Sequence, residues 1–129
     1  MTTYRMTRTW SAGGDTLSKT EQLADGLDIR LDEEPAGAAP VTYDLPLDGS
    51  KLKALFVLCD RPLTLTFNNA GSGANVDIVL TNDVPVQWSL SSGGAYFANP
   101  LPGNYDNVTV SAPGAGVTAE LEIRLLSDA

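Results

Sequence analysis

The stretch Val117-Thr118-Ala119-Glu120-Leu121-Glu122-Ile123-Arg124-Leu125 decides the fold class. Every second residue is apolar, and the residues between are Thr, Glu, Glu and Arg. Side chains of a strand alternate faces, so as a strand this stretch has one apolar face and one charged face. Wound into a helix, it would scatter its charges around the circumference and leave no apolar stripe. Outward from it the same period recurs. Leu27, Ile29 and Leu31 alternate with Asp28, Arg30 and Asp32; Val41, Tyr43 and Leu45 alternate likewise; Leu63, Leu65 and Phe67 alternate with Thr64 and Thr66. Val84, Val86, Trp88 and Leu90 flank Pro85, Gln87 and Ser89, and Pro85, lacking a ladder donor, puts that segment at an edge or a bulge. Val76 to Leu80 and Val108 to Val110 are further short apolar runs.

Leu52 to Cys59 is apolar on both faces, which predicts a central strand covered on two sides. Asp60-Arg61-Pro62 then reads as a turn, so Leu63 to Phe67 is expected to pair with that strand as a hairpin. Asn68 to Gly73, Ser91 to Gly94 and Ala112 to Gly116 read as loops. Short strands between turn signals every eight to twelve residues are the pattern of an all-β sandwich or barrel. The 129 residues suffice for one domain. At 13.6 kDa, a compact domain exposes roughly 6,500 Å².

The first third differs. Residues 1–14 carry Arg5 and Arg8 and no acid, whereas residues 15–34 carry seven acids against Lys19 and Arg30. With Gly13-Gly14 as a hinge, residues 1–14 are expected to form an N-terminal arm or an exchanged strand, and residues 15–129 the sandwich domain. The alternative is that Tyr4, Met6 and Trp10 belong to the sandwich's first strand. Ser18-Lys19-Thr20-Glu21 matches a capping box, but no apolar helical stripe follows, so at most two turns of helix are expected.

Composition excludes much chemistry. Histidine is absent, which removes Ser-His-Asp triads, Cys-His pairs and His-ligated zinc. One cysteine, Cys59, allows no intrachain disulfide and is expected to be buried and inert. Sixteen acids against eight Lys and Arg disfavour binding to nucleic acid. Glu120 and Glu122 share a strand face and read as solvated rather than as a catalytic pair. Asp44 to Gly49 and Asn104 to Asn107 offer oxygen ligands without a full calcium-loop pattern. The Gly-rich loops lack the Gly-Lys-Ser/Thr ending that grips a phosphate. Asn107-Val108-Thr109 matches a glycosylation acceptor, but no signal-like segment precedes it. No apolar run reaches bilayer length. The expectation is a non-enzymatic protein made in a cytoplasm, with no cofactor, metal, nucleic acid or membrane among its partners. Trp88 is expected in the core. Tyr96 and Phe97, beside a Gly-Gly loop, are more open to a surface role, with Asn99, Asn104 and Asp106 near them.

Thr7-Arg8-Thr9-Trp10, Ser50-Lys51-Leu52-Lys53-Ala54-Leu55-Phe56-Val57 and Ala119-Glu120-Leu121-Glu122-Ile123-Arg124-Leu125-Leu126 resemble stretches of small structural proteins of tailed bacteriophages, of the capsid cement or decoration type. The segment from Asp60 to Phe67 and the strand ending at Trp88 fall in matching order. The resemblance implies a β-sandwich or jelly-roll-like subunit with an extended arm. Such a subunit sits on the outside of a phage head and fastens neighbouring capsomers. The implied partners are the major capsid protein and further copies of the chain, as a trimer or a dimer. The expected contact residues are Arg5, Arg8, Trp10, Tyr96 and Phe97. The competing expectation is a tail or fibre-associated module that binds a host glycan through Tyr96 and Phe97.

Overall fold

In the computed structural model of the chain, residues 2–89 and 98–128 are described, with the backbone alone at residues 2–4, 6, 8, 19 and 21–28. The elements are β1 (Thr2–Ala12), β2 (Asp15–Glu33), β3 (Ala36–Gly37), β4 (Val41–Asp48), a 3₁₀ turn (Gly49–Lys51), β5 (Leu52–Cys59), β6 (Leu63–Asn69), β7 (Val76–Leu80), β8 (Val86–Ser89), β9 (Asn104–Val110), β10 (Gly114–Thr118) and β11 (Leu121–Asp128). The alternating stretches at 27–31, 41–45 and 63–67 lie in strands, and the capping-box segment lies inside β2.

Two sheets face each other. The first has the order β1-β2-β11-β5-β8 and the second β4-β9-β6-β7, while β3 and β10 form a small separate ladder. All pairings are antiparallel, and four of them nest: β2 with β11, β4 with β9, β5 with β8 and β6 with β7. The wiring is that of one long antiparallel ribbon, closed at the loop between β6 and β7 and rolled so that β11 also meets β5 and β9 also meets β6. This is the jelly-roll arrangement, in which the roll itself buries most strand edges.

The roll explains why β5 reads as apolar throughout. It lies between β11 and β8, with its inward residues Leu55, Val57 and Cys59 fully buried. Opposite them the second sheet contributes Leu63, Leu65, Phe67, Val108 and Val110. The Phe67 and Tyr105 rings meet edge to face at 6.0 Å. Trp88 is in this core, and β8 is an edge strand that begins just after Pro85, as Pro85 predicted.

Several expectations fail, and the loop expected over Ala112 to Gly116 gives way at Gly114 to β10. β6 does not pair with β5, because Asp60-Arg61-Pro62 carries the chain from one sheet to the other. Alternation dictates which face is apolar but not which strand is the neighbour. The stretch 117–125 is also not one strand. It breaks at Ala119-Glu120, where the Ala119 N–H donates to the Pro35 carbonyl (2.9 Å) and the Glu120 N–H to Asp60 Oδ1 (2.8 Å). Its first part belongs to β10 and its last to β11.

Gly13-Gly14 is not a hinge between an arm and a domain. It is the two-residue turn joining β1 to β2, with both glycines at positive φ (60° and 112°). Positive φ at both central residues matches the right-handed twist of a hairpin and favours glycine there. A boundary after residue 14 therefore falls inside a hairpin.

Candidate binding surface

β2 is 19 residues long, but β11 pairs only with its second half, from Gly26 to Glu33. The first half has β1 alone beside it, in register from Thr2–Gly26 to Ala12–Asp15. The sequence thus builds a two-stranded ribbon that β11 does not continue, with Arg5 and Thr7 of β1 still beside residues of β5 and β8. The 11 residues of β1 correspond to a length of roughly 35 Å. Every residue from Thr9 to Ser18 is exposed. The accessible area of 7351 Å² exceeds by about 800 Å² that of a compact domain of this mass.

Local chemistry holds the ribbon together. Hydroxyls pair across it at Thr7–Thr20 (2.9 Å), Thr9–Ser18 (3.3 Å) and Ser11–Thr16 (3.2 Å). Each such pair contributes about 0.2–1 kcal/mol. Trp10 and Leu17 stand directly opposite each other one position away from the hydroxyl rungs, hence on the other face of the ribbon. They are 60% and 69% exposed. A bare hairpin is marginal in water, and an exposed tryptophan–leucine pair at its tip is the apolar group most available to a partner.

The outer face of the first sheet carries two depressions. One is a cleft of about 590 Å³ lined by Asp32, Glu33, Glu34, Asp60, Asp83, Glu120 and Glu122 around Leu58 and Leu121. Glu120 and Glu122 are exposed there. Among the described residues, no group of three His, Cys, Asp or Glu side chains is placed to hold a metal ion. The second is a groove of about 350 Å³ lined by Ala54, Phe56 and Leu126 with Arg5, Arg30 and Arg124. Arg30 and Arg124 are direct cross-strand partners, and so are Asp32 and Glu122. Like charges directly opposite are unfavourable. The diagonal Arg124–Asp32 pair (3.0 Å) and the Arg124–Glu122 pair (3.7 Å) offset this in part.

Much of the outer face of the second sheet is hydrogen-bonded within itself, although Val79 on β7 is exposed. Thr42 and Thr109 share a hydrogen bond (2.9 Å), the Asn68 amide donates to Thr109 (2.9 Å) and to the Asn107 side chain, and Thr66 donates to Asp77 (2.7 Å).

The remaining candidates resolve as follows. Arg5 lines the groove, and Trp10 is at the ribbon tip. Arg8 is described by its backbone only, opposite Lys19, while Tyr96 and Phe97 lie outside the described residues. Asn99 is committed to its own loop: its amide donates to the Gly49 carbonyl (2.7 Å) and its oxygen accepts from the Leu101 N–H (2.9 Å). Asn104 and Asp106 are exposed on β9. Asp44 and Asp48 lie on a strand whose Leu45 and Leu47 are buried. Asp48 accepts from the Ser50 N–H (3.1 Å) and hydroxyl (2.6 Å), which holds its carboxyl below the usual range. The Cys59 thiol is fully buried, and desolvation pushes its pKa up. No helix among the described residues is long and apolar enough to cross a membrane. Sequence reasoning missed the groove entirely, and it missed the second half of the ribbon although Gly-Gly is a hairpin signal. No protein family, curated protein or solved structure matches this chain.

Proposed function

We propose that the chain is a virion structural protein, a cement or decoration subunit on the outer surface of a tailed-phage head. It works by adhesion and not by catalysis. The observation that carries the reading is the ribbon of β1 and the first half of β2, which presents Trp10 and Leu17 to solvent beyond a closed sandwich. A subunit that fastens neighbours needs a rigid body and a part that reaches past it. The sandwich supplies the body and the ribbon supplies the reach. The sixteen acids against eight cations keep the free subunit soluble before it attaches. Weak contacts repeated over a lattice then sum to firm attachment. Jelly-roll wiring recurs in viral capsid domains and in lectins, and such a fold hosts many functions. The weight therefore rests on the ribbon.

The test mixes purified protein with heads of the phage whose genome carries the gene. Full-length protein should sediment with the heads in many copies. The Trp10→Ser, Leu17→Ser double variant should attach more weakly while its sandwich stays folded. Full attachment by the double variant, or none by the intact chain, would count against the reading.

A further inference from the structure

We infer that the free edge of β1 pairs antiparallel with the free edge of the first half of β2 in a second copy of this chain, and that the contact passes head to tail round a closed ring of copies. The inference goes beyond the adhesive reading, because it concerns pairing between copies and stands or falls without a phage head. It starts from the backbone. β1 ends its sheet, and its outer edge has no partner strand among the described residues. β11 meets β2 only from Gly26 onward, so over residues 15–25 the other edge of β2 has no partner strand among them either. The ribbon therefore has two open edges, one on each strand. The remaining sheet edges are short or interrupted, which discourages pairing. β8 has four described residues and follows Pro85, β7 has five, and β4 carries Pro46 and a register shift between Asp44 and Leu47. Over its 11 residues β1 has neither proline nor lysine, and its register is regular over residues 4–12.

The hairpin geometry shows which backbone groups are free. In a two-residue hairpin the residues flanking the turn exchange both hydrogen bonds, and every second pair beyond them does the same. Ala12–Asp15 is the flanking pair. The N–H and C=O groups of Thr7, Thr9 and Ser11 therefore point outward from β1, and those of Thr16, Ser18 and Thr20 outward from β2. The hydroxyl contacts Thr7–Thr20, Thr9–Ser18 and Ser11–Thr16 agree, since side chains come closest in pairs that exchange no backbone bond. Composition decides which edge meets which. Thr2–Ala12 has two cations and no acid, and residues 15–25 have three acids and one cation. An isologous contact sets β1 on β1 or β2 on β2, like charge on like. Pairing β1 with β2 of the next copy sets unlike strands together, and it repeats between copies the pairing that the two strands make within one. In that register Trp10 of each copy stands between its own Leu17 and the neighbour's. Both residues are more than half exposed in the single chain, so the same contact covers the apolar pair. It is heterologous, and it closes when the rotation returns to the first copy.

The experiment is amide hydrogen exchange of the purified full-length chain, at concentrations below and above the self-association that sedimentation records. On association the outward amides of both edges should gain protection together: Thr7, Thr9 and Ser11 on β1, and Thr16, Ser18 and Thr20 on β2. Protection of one edge alone means that a strand pairs with its own kind, and it overturns the inference. So does a chain that stays monomeric throughout, one that associates with both edges unprotected, or one that grows without limit. Thr9→Pro and Ser18→Pro each block one edge by removing an outward N–H that the ribbon itself does not use. Each alone should weaken association by roughly tenfold or more. Mixed, the two variants should form a one-to-one dimer, because the first keeps an open β2 edge and the second an open β1 edge. A single variant that associates like wild type, or a mixture no tighter than its parts, overturns the inference. Protection of the inward amides of Trp10 and Leu17 shows that the ribbon survives each proline, and where it does not, the exchange of the wild-type chain decides. Head binding is scored apart from self-association. Self-association without head binding ends the reading of the function and leaves this contact standing, and head decoration by a strictly monomeric chain does the reverse.

Discussion

Two leucines of this chain sit at opposite extremes, and truncating each to alanine separates the body from the ribbon. Leu125 is fully buried between the sheets, and Leu17 is 69% exposed at the ribbon tip. Leu125→Ala removes buried methyls and leaves a cavity that the paired strands β2, β11 and β5 cannot close, at a cost of about 2–5 kcal/mol. Leu17 keeps about a third of its side chain from water. Full burial of a leucine stabilises by about 1.5–3 kcal/mol, so Leu17→Ala should cost about 0.5–1 kcal/mol, and that within the ribbon. The assay is urea unfolding followed by Trp88 emission in a Trp10→Phe background, so that only the core tryptophan reports. For a domain of this size the slope is about 1–3 kcal/mol per molar urea. The midpoint should fall by about 1–2 M for Leu125→Ala and by a few tenths of a molar at most for Leu17→Ala. Equal losses would mean that the ribbon packs into the body. The reasoning that makes it a free gripping element would then fail.

Three further outcomes are expected. Burial raises the Cys59 pKa, and the carboxylates of Asp60 and Asp83 push it the same way; the native protein at neutral pH should resist a thiol-alkylating reagent that labels the urea-unfolded chain fully, and rapid native labelling would contradict the buried placement. Gly13→Val and Gly14→Val place a β-branched residue at φ of 60° and 112°, at a cost of about 1–2 kcal/mol each; amide protection should fall over residues 2–25 while the Trp88 unfolding midpoint holds. The Asp48 carboxyl is held low by Ser50, so its stabilising effect is present above the ordinary carboxylate pKa and is lost as pH falls through the lowered folded value; the stability gap between wild type and Asp48→Ala, measured by urea unfolding, should be widest near neutral pH and narrow in acid.

Strand positions were legible because a period of two needs only the residues themselves. Leu63 to Phe67 and Val76 to Leu80 show it, since each alternates or runs apolar and each is a strand. Partner choice was not legible. Nothing in Leu52 to Cys59 says that its neighbours are β11 and β8, because in a rolled ribbon those neighbours come from distant parts of the chain. The turn-like Asp60-Arg61-Pro62 is compatible with a hairpin or with a crossing between sheets, and the roll selects the crossing. At the N-terminus, acid-free composition marked residues 1–14 as distinct, but the sign change at residue 15 hid their pairing with the acidic strand that follows. The groove was beyond reach for the same reason as the partners: Arg5, Arg30 and Arg124 converge only through the β1–β2 turn and the β2–β11 register.

The most direct measurement of the adhesive account is side-chain-resolution imaging of intact heads of the tailed phage that the proposed function takes to carry the gene. The account predicts density for the sandwich at regularly repeated positions on the outer surface, with Trp10 and Leu17 buried against a neighbour. Heads whose surface lacks the protein, or lattice-bound copies whose Trp10 and Leu17 stay in solvent, would contradict it.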